Sequence, residues 1–506
     1  MNLRKRKLCR RELLGGILGA GVASVFGPSV FGAGAKGPAA KDARLPNIVL
    51  ILADDLGWGE LGCYGQEKIK TPNIDRLAGA GTRFTRHYSG SPVCAPSRCV
   101  LMTGKHPGHA FIRNNREIKP EGQLAIPAGE VTLAELLKRR GYVCGAFGKW
   151  GLGAPGSAGD PLKQGFERFF GYNCQRHAHN YYPTYLWDDD KRIKLSNDPA
   201  VTGHGQLAKG ADPADPASYA KFKGDDYAPK RIADQLLAFI RANSKRPFFA
   251  YYPSVIPHLA LQIPDEELKP YLGKWKETPF DGRGGYAPHP TPRAAYAAMI
   301  SYLDKQVGRI LSLLEKLGLA DDTIVVFTSD NGATYLRDVD YRFFKSVGPL
   351  RGLKGSMFEG GVRVPAIVRW PGRVRAGAVS GRVTGFEDWM PTLLELIGSS
   401  NETPKEADGV SFAPTLLARR QKPRPFLYRE FAGYGGQQAL WQGPWKALRR
   451  KLGKGKIKTE LYDLDADAGE SKDVAAGNPA VVARLEKIMS AQHEPSKEFS
   501  MKALDG

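Results

Sequence analysis

The chain has 506 residues, of which 42% are hydrophobic and 25% are charged, and this balance excludes a disordered chain. The length fits one large and one small domain with a sizeable core. The formal net charge of +21 favours anionic partners, or a solvated basic surface, and no recognisable nucleic-acid-binding motif accompanies it.

The N-terminus is typical of an export signal over residues 1–35. Arg10 and Arg11 follow a basic stretch and precede a short apolar run, rich in Gly and Ala, that reaches Phe26. This pattern predicts a twin-arginine signal, hence transport by the twin-arginine export machinery to the periplasm or the medium. The run is too short for a transmembrane helix, and no other segment is apolar for long enough, so we expect no stable membrane insertion. A linker of small residues, 36–45, follows.

A strand buried on both faces is predicted over 47–53, where apolar residues dominate the sequence. Asp54 and Asp55 follow at its carboxyl end, the edge at which open α/β sheets bind ligands. Two adjacent carboxylates repel each other, and a hard cation such as Ca²⁺ or Mg²⁺ between them relieves the repulsion. The alternative is a turn with solvated charges.

The segment from Cys94 to Arg98 places a thiol, a proline, a hydroxyl and a guanidinium within five residues, and a turn follows at Thr103-Gly104. A surface loop with a free cysteine is the alternative interpretation. Four further cysteines outside the export signal lack the paired spacing of a zinc site. We expect free buried thiols, with a disulfide among them as the alternative; they are Cys63, Cys99, Cys144 and Cys174.

Strands and helices then alternate along the chain. Strands are predicted over 142–147, 247–253, 323–328 and 365–369, and helices over 228–243, 294–317 and 388–398. A further helix is predicted to begin at Thr132 through a capping box with Glu135. The alternation predicts an α/β fold whose mostly parallel sheet is covered on both faces. Residues 153–225 and 262–292 show weak periodicity, and we expect long loops there over the mouth of the site.

Polar residues follow several of these strands. Asp330 and Asn331 come directly after 323–328, so two strands far apart in sequence end in oxygen ligands that can converge on one metal. Two further polar residues follow apolar segments, namely Lys149 and His258. Lys354 lies in a glycine-rich stretch. Taken singly, each could be a solvated lysine or a hydrogen-bonded histidine.

The pattern changes after residue 418. A hairpin is predicted from Trp445–Arg450 and Glu460–Leu464, and a closing helix over Pro479–Gln492. These elements predict a small α+β subdomain over 419–506, packed on a larger domain over 46–418.

The motifs together resemble the formylglycine-dependent, type I sulfatase family, of the arylsulfatase A-like kind, over most of residues 46–490. The C-x-P-S-R run that begins at Cys94 carries the resemblance, with Thr103-Gly104 after it and Met102 in place of the usual Leu. It implies an alkaline-phosphatase-like fold, in which helices sandwich a large mixed, mostly parallel sheet. It also implies that a maturation enzyme oxidises Cys94 to formylglycine, whose hydrated aldehyde is the nucleophile.

The resemblance assigns roles residue by residue. One Ca²⁺ ion would be held by the four matching ligands, Asp54, Asp55, Asp330 and Asn331. Arg98 and Lys149 would hold the formylglycine, and Lys149 and Lys354 would neutralise sulfate oxygens. His258 would donate a proton to the leaving oxygen as general acid.

One departure concerns Gly151, because many members of the family read G-K-W-H-L-G where this chain has G-K-W-G-L-G. The family's histidine assists release of sulfate, so a side chain from 175–183 or water would have to replace it. That segment also contains three candidates for substrate contacts, Arg176, His177 and His179. Arg113 is a fourth candidate, outside the segment.

The resulting hypothesis is a sulfuric-ester hydrolase that acts on sulfate monoesters, with a sulfated carbohydrate as the expected partner. A phosphonate or phosphodiester hydrolase of the same superfamily is an enzymatic alternative. The presence of Lys149 and Lys354 argues against it. A non-catalytic protein that binds sulfated polysaccharide is the other alternative, and only Gly151 favours it.

Overall fold

The computed structural model of the chain describes residues 44–506 apart from 120, 336–338 and 454–456. The predicted export signal 1–35 and all but the last two residues of the linker 36–45 lie outside the described residues. Residues Leu45–Gly506 form one compact unit. Within the described ranges, no helix combines the length and the apolar character needed to cross a membrane.

In the described part of the chain, the larger sheet contains eleven strands in the order β10-β2-β9-β8-β1-β7-β3-β4-β5-β6, with β11 also paired to β2. Their bounds are β1 Asn47–Ala53, β2 Thr82–Tyr88, β3 Val143–Lys149, β4 Arg168–Tyr172, β5 Tyr185–Asp188, β6 Lys191–Lys194, β7 Phe248–Pro253, β8 Thr323–Ser329, β9 Arg363–Arg369, β10 Ala378–Ser380 and β11 Thr384–Gly385. Strand β1 pairs in parallel with both β7 and β8, and β9 runs antiparallel to β8 and β2. The predicted mixed, mostly parallel sheet is confirmed.

Helices cover both faces of this sheet. Their bounds are α1 Pro72–Gly79, α2 Cys94–Thr103, α3 Leu133–Arg139, α4 Ala228–Ala242, α5 Asp265–Leu268, α6 Pro292–Lys316, α7 Tyr341–Phe344, α8 Glu359–Val362, α9 Trp389–Leu396, α10 Ala413–Leu416, α11 Pro479–Ala491 and α12 Lys502–Asp505. Alternate residues of β1 enter two different cores, because side chains alternate across a strand. Val49 and Ile51 pack in the core that contains residues of α1, α4 and α6. Leu50 and Leu52 pack in the core that contains residues of α2, α3 and α9.

A second, antiparallel sheet is formed by β12 Leu427–Phe431, β13 Gln437–Gln442, β14 Trp445–Arg450 and β15 Thr459–Asp463, paired in chain order. Helix α11 packs on it through Leu485 and Met489, which contact Leu440 and Leu461 in one buried cluster. The predicted hairpin and closing helix are therefore present, although 454–456 within the hairpin lie outside the described residues.

The prediction of loops throughout 153–225 is wrong, because this segment contributes β4, β5 and β6 to the sheet. Strands β5 and β6 pair only with each other and with β4, at the edge of the sheet. Most of the short β6, Lys191–Lys194, is exposed, so it lacks the apolar alternation by which strands are identified in sequence. Pairing with an existing edge, rather than burial, makes this segment extended.

Candidate active site

The site forms where the parallel strands β1 and β8 end side by side. Ala53 pairs with Ser329, so the next residues of both strands meet at the carboxyl edge of the sheet. The backbone N–H of Asp55 donates to Asp330 Oδ1 at 3.1 Å, and Asn331 Nδ2 donates to Asp55 Oδ1 at 2.8 Å. Asp54 is buried beside them. The structure therefore brings together all four oxygen-bearing residues that the sequence predicts to share a cation.

The donor set fits a hard divalent cation. Asn331 directs both donated hydrogen bonds from Nδ2, to Asp55 and to the carbonyl of Gly332 at 2.9 Å, while its buried Oδ1 has no hydrogen-bond partner in the described structure. An amide oxygen beside three carboxylates is the chemistry that Ca²⁺ prefers. Asp55 also has a left-handed backbone (φ 66°), a strained conformation for a residue other than glycine, which directs its carboxylate into the cluster.

Two carboxylates of this cluster, those of Asp54 and Asp330, differ in their electrostatic surroundings. Burial opposes ionisation of Asp54, but the charge of Lys149, followed by those of His258 and Arg98, holds its pKa well below the usual range. Burial and then the charge of Asp54 raise the pKa of Asp330 to about 7. The cluster thus concentrates negative charge where burial makes it costly, and this charge is compensated by cations.

Cys94 is the first residue of α2, and every residue of that helix is buried. Its Sγ lies 3.6 Å from Asp54 Oδ1, so the cysteine faces the carboxylate cluster. Burial raises the pKa of the Cys94 thiol to about 12, against the opposing charges of Lys149 and Lys354. A thiol held protonated is a poor nucleophile. The other four cysteines in the described part of the chain are free; Cys99, Cys144 and Cys174 are buried as predicted, whereas Cys63 is half-buried.

Three cations neutralise the cluster. Arg98 is fully buried and donates from Nε and Nη2 to Asp330 Oδ2 at 3.1 and 2.8 Å, and from Nη1 to the carbonyl oxygen of Lys149. Lys149 Nζ lies 2.7 Å from Asp54 Oδ2, and Lys354 Nζ lies 2.8 Å from Asp55 Oδ2. The three predicted basic residues therefore surround the carboxylates next to Cys94.

His258 completes this group from the loop after β7. Its Nδ1 donates to the carbonyl of Leu259 at 2.5 Å, which leaves Nε2 facing Asp55 Oδ2 at 3.6 Å. Burial, and then the charge of Lys354, lower the pKa of His258 to about 4. The ring is therefore oriented so that a proton on Nε2 would point into the site.

Gln175 occupies the space beside Gly151. Gly151 has a left-handed backbone (φ 80°), and a Cβ at this position would lie 1.9 Å from Nε2 of Gln175. The Gln175 side chain is buried, and neither its amide nitrogen nor its amide oxygen has a hydrogen-bond partner in the described structure. A carboxamide donates and accepts hydrogen bonds but does not take up a proton, so Gln175 fills this space without supplying a base.

The residues predicted to contact substrate differ in their surroundings. His179 stacks on His258 with ring centroids 4.3 Å apart, and its Nδ1 lies 3.3 Å from Nε2 of His204. Arg176 is exposed, and His177 packs on Tyr185 with centroids 4.5 Å apart.

Arg113 requires a correction. It is buried and donates to Glu430 Oε1 at 2.8 Å and to the carbonyl oxygens of Ala110 and Glu494. Because its guanidinium binds these internal partners, Arg113 links the segment between α2 and α3 to Glu430 of β12 and is not placed to bind a sugar.

Sequence reasoning missed the aromatic residues beside the site. Tyr286 packs on His179 and His258, with centroids 5.5 and 5.8 Å away. Tyr335 and Tyr434 are exposed near Lys354. None of them belongs to a recognised motif, although Tyr335 comes shortly after β8 and Tyr434 shortly after β12. The only available indication was the unusual Gly-Tyr-Gly-Gly run at 433–436.

Comparisons with known proteins agree with this geometry. The profile of the Sulfatase family matches residues 46–399, and that of the C-terminal region of N-sulphoglucosamine sulphohydrolase matches residues 353–494. N-acetylgalactosamine-6-sulfatase of Homo sapiens is 34% identical over 428 residues, covering 80% of this chain and 74% of that protein. Arylsulfatase A of Homo sapiens is 32% identical over 497 residues, covering 90% of each chain. The crystal structure of Ps i-CgsB in complex with k-i-k-neocarrahexaose has a TM-score of 0.70 at 26% identity, covering 88% of this chain and 93% of that one.

Proposed function

The chain belongs to the sulfatase family and is a sulfuric-ester hydrolase, and from this premise we propose that it removes sulfate from sulfated carbohydrates with a formylglycine at position 94. One observation carries the proposal: Cys94 Sγ lies 3.6 Å from Asp54 in a buried cluster of oxygen ligands, which the cations Lys149 and Lys354 also contact. A sulfate monoester carries one negative charge spread over its oxygens, which such cations stabilise, and conversion of the Cys94 thiol to formylglycine would supply the nucleophile.

The choice of carbohydrate esters rests on two supports. The relatives reported above include an enzyme named for N-acetylgalactosamine 6-sulfate and a structure that holds a neocarrahexaose. The formal net charge of +21 also suits a polyanionic substrate, because a basic surface raises the local concentration of anions.

The metal site would hold one Ca²⁺ through Asp54, Asp55, Asp330 and Asn331. When bound, this ion supplies positive charge that stabilises sulfate oxygens and lowers the pKa of a nearby hydroxyl. Formylglycine at position 94, once hydrated, would supply one hydroxyl for attack on sulfur as the bond from sulfur to the sugar oxygen breaks. Water would take the proton of the second hydroxyl, because neither Gly151 nor Gln175 supplies a base, and the aldehyde would re-form as sulfate leaves.

The remaining steps belong to side chains of this chain. Lys149 and Arg98 are tied to Asp54 and Asp330, so they orient residue 94 and keep its surroundings positive. Lys354 binds a sulfate oxygen from the opposite side of the cluster, next to Asp55. The bond from Nδ1 to Leu259 fixes the His258 ring and leaves Nε2 without a proton in the neutral form. His258 would take up a second proton at Nε2 when the negative charge of a sulfate ester is bound nearby, and would then donate it to the departing sugar oxygen.

The test combines a mass measurement with sulfate release. We expect the peptide containing residue 94, from protein made in a host with the maturation enzyme, to have the mass of the aldehyde. Cys94→Ala and Asp54→Ala should lose at least about 10³-fold in kcat, and the matched cysteine variant Cys63→Ala should keep wild-type activity.

Three outcomes contradict parts of this proposal. Multiple turnovers by Cys94→Ser, in a host that does not convert serine, would refute formylglycine chemistry. A larger kcat/KM for the phosphate diester of the same leaving group would favour the phosphorus-ester alternative. Sulfate release that survives Asp54→Ala would remove the metal cluster from the reaction.

Export through the twin-arginine machinery is a further proposal, supported by Arg10 and Arg11 ahead of a short apolar run. Cell fractionation should find the wild type outside the cytoplasm and a double Arg10→Lys, Arg11→Lys variant retained within it. Equal export of both proteins would refute this route.

A further inference from the structure

Two exposed tyrosines stand beside the active site. Among the described residues, only six large hydrophobic side chains are exposed, and two of them are Tyr335 and Tyr434, with 46% and 65% of their surface accessible. We call these two residues the tyrosine rim. They come from separate parts of the chain: Tyr335 follows the cluster residue Asn331, and Tyr434 lies in the turn between β12 and β13.

The turn that carries Tyr434 is fixed to the glycine-rich stretch that carries Lys354. Gln437 Nε2 donates to the carbonyl oxygen of Gly355 at 2.8 Å, and Gln437 Oε1 accepts from the N–H of Met357 at 3.0 Å. The Tyr434 ring lies directly over Gly355, where a Cβ would come within 2.2 Å of its Cε2. A glycine at 355, with its left-handed φ of 83°, is thus required for the ring to sit here.

The ring is also close to the reacting groups. The N–H of Lys354 donates to the carbonyl oxygen of Ala333, just before Tyr335, at 2.9 Å, and the N–H of Gly355 donates to that of Pro92, just before Cys94, at 2.8 Å. Tyr286 lies on the other side of the site, with its ring centroid 5.8 Å from that of His258. The rim therefore borders the place where a sulfate between Lys354 and residue 94 would carry its organic group.

Stability alone does not account for Tyr434. Its backbone is left-handed (φ 51°), which is strained for a tyrosine, and its ring remains mostly in water. Its one aromatic neighbour below is Phe431, edge-on at 5.6 Å. A strained backbone that holds an apolar ring in solvent next to reacting groups is typical of a ligand contact.

We propose that the tyrosine rim binds the ring to which the sulfate group is attached, by packing the faces of Tyr335 and Tyr434 against it. This inference rests on the proposed function and specifies its substrate as a sulfate on a sugar or aryl ring, as opposed to a linear alkyl sulfate. It also makes the C-terminal sheet a part of the binding site, because β12 and β13 hold Tyr434 in place.

The test uses two substitutions at one position and two ligands. Tyr434→Asn removes the ring but keeps a residue that tolerates a left-handed backbone, and Tyr434→Phe keeps the ring without its hydroxyl. For 4-nitrophenyl sulfate, we expect kcat/KM to fall about tenfold in Tyr434→Asn, through KM, and to stay within about twofold of wild type in Tyr434→Phe. The inhibition constant of inorganic sulfate, which has no ring, should not change in either variant.

Val379→Ala, at an exposed position on β10, serves as the control for loss of an exposed apolar side chain. An unchanged kcat/KM in Tyr434→Asn, with an unchanged melting temperature, would overturn the proposal. A parallel loss of sulfate affinity would also overturn it, because the ring would then only support Lys354. If the wild type releases no sulfate at all, the proposed function fails separately, and the dissociation constants of 4-nitrophenyl sulfate for the same variants decide the role of the rim.

Discussion

Gly151 is the residue at which this chain departs from its family's motif, and the structure explains why a side chain is not accommodated there. The left-handed backbone and the amide of Gln175 both exclude a Cβ. Glycine is therefore required at this position. Gly151, two residues after Lys149, packs directly against Gln175.

We predict that Gly151→Ala lowers the free energy of unfolding by about 1–3 kcal/mol, because alanine must adopt φ near 80° and displace Gln175. Chemical denaturation measures this change. Gly129→Ala is the matched control, since its Cβ would meet no atom within 4 Å. Equal stabilities of the two variants would show that Gln175 moves aside without cost.

The ligands of the proposed metal site come from the ends of two neighbouring strands, so a bound ion would join β1 to β8. We predict that added Ca²⁺ raises the melting temperature of wild-type protein and that a chelator reverses the rise, because an ion that binds only the folded state stabilises it. Asn331→Ala removes the unpartnered Oδ1 and should reduce the shift. A melting temperature indifferent to Ca²⁺ in both proteins would contradict a calcium site.

The elements that form this site are the ones most readily predicted from sequence. Strands β1 and β8 are continuous apolar runs buried on both faces, and the capping box at Thr132 is present as predicted. Strand β2, Thr82–Tyr88, was missed because arginine and threonine interrupt its apolar residues. The rim tyrosines and Gln175 could not be found in the same way, since their positions depend on loops folding over residues distant in sequence.

At the end of the chain, His493 links β12 to α12. Its Nδ1 lies 2.8 Å from Glu430 Oε2 and its Nε2 lies 3.0 Å from Asp505 Oδ1, so both nitrogens face carboxylates. The hydrogen bond to Glu430 raises the pKa of His493 above its ordinary value of 6.5, although burial opposes the shift. Because the folded pKa is raised, the stabilisation is fully present below pH 6.5 and is lost as the pH rises through the folded value.

We therefore predict that His493→Ala lowers the melting temperature more at about pH 6 than at about pH 9. Burial lowers the pKa of His106, so His106→Ala should show the opposite trend, with the smaller effect at low pH. Thermal melts of the three proteins across this range provide the measurement. A difference in melting temperature for His493→Ala that is independent of pH would mean that folding does not change the pKa of His493.

At the scale of the whole molecule, the basic surface should act on long-range encounter. The chain carries a formal charge of +21, and residues 1–35 contain only six of its basic residues, so most of the charge belongs to the remainder. We predict that kcat/KM for a sulfated polysaccharide falls severalfold between about 0.05 and 0.5 M NaCl, while that for 4-nitrophenyl sulfate changes little. Parallel curves for the two substrates would show that the charge is not used in capture.

The complete burial of α2 bears on whether residue 94 is modified before or after the chain folds. If formylglycine forms at position 94 as proposed, the oxidising enzyme must reach a side chain that is only 2% exposed in the folded chain. Under that proposal, conversion would have to precede the completion of folding, and a molecule that folded with its thiol intact would stay inactive. The active fraction of a preparation would then equal the fraction of molecules that were converted before they folded. Adding the maturation enzyme to the folded protein would not raise this fraction.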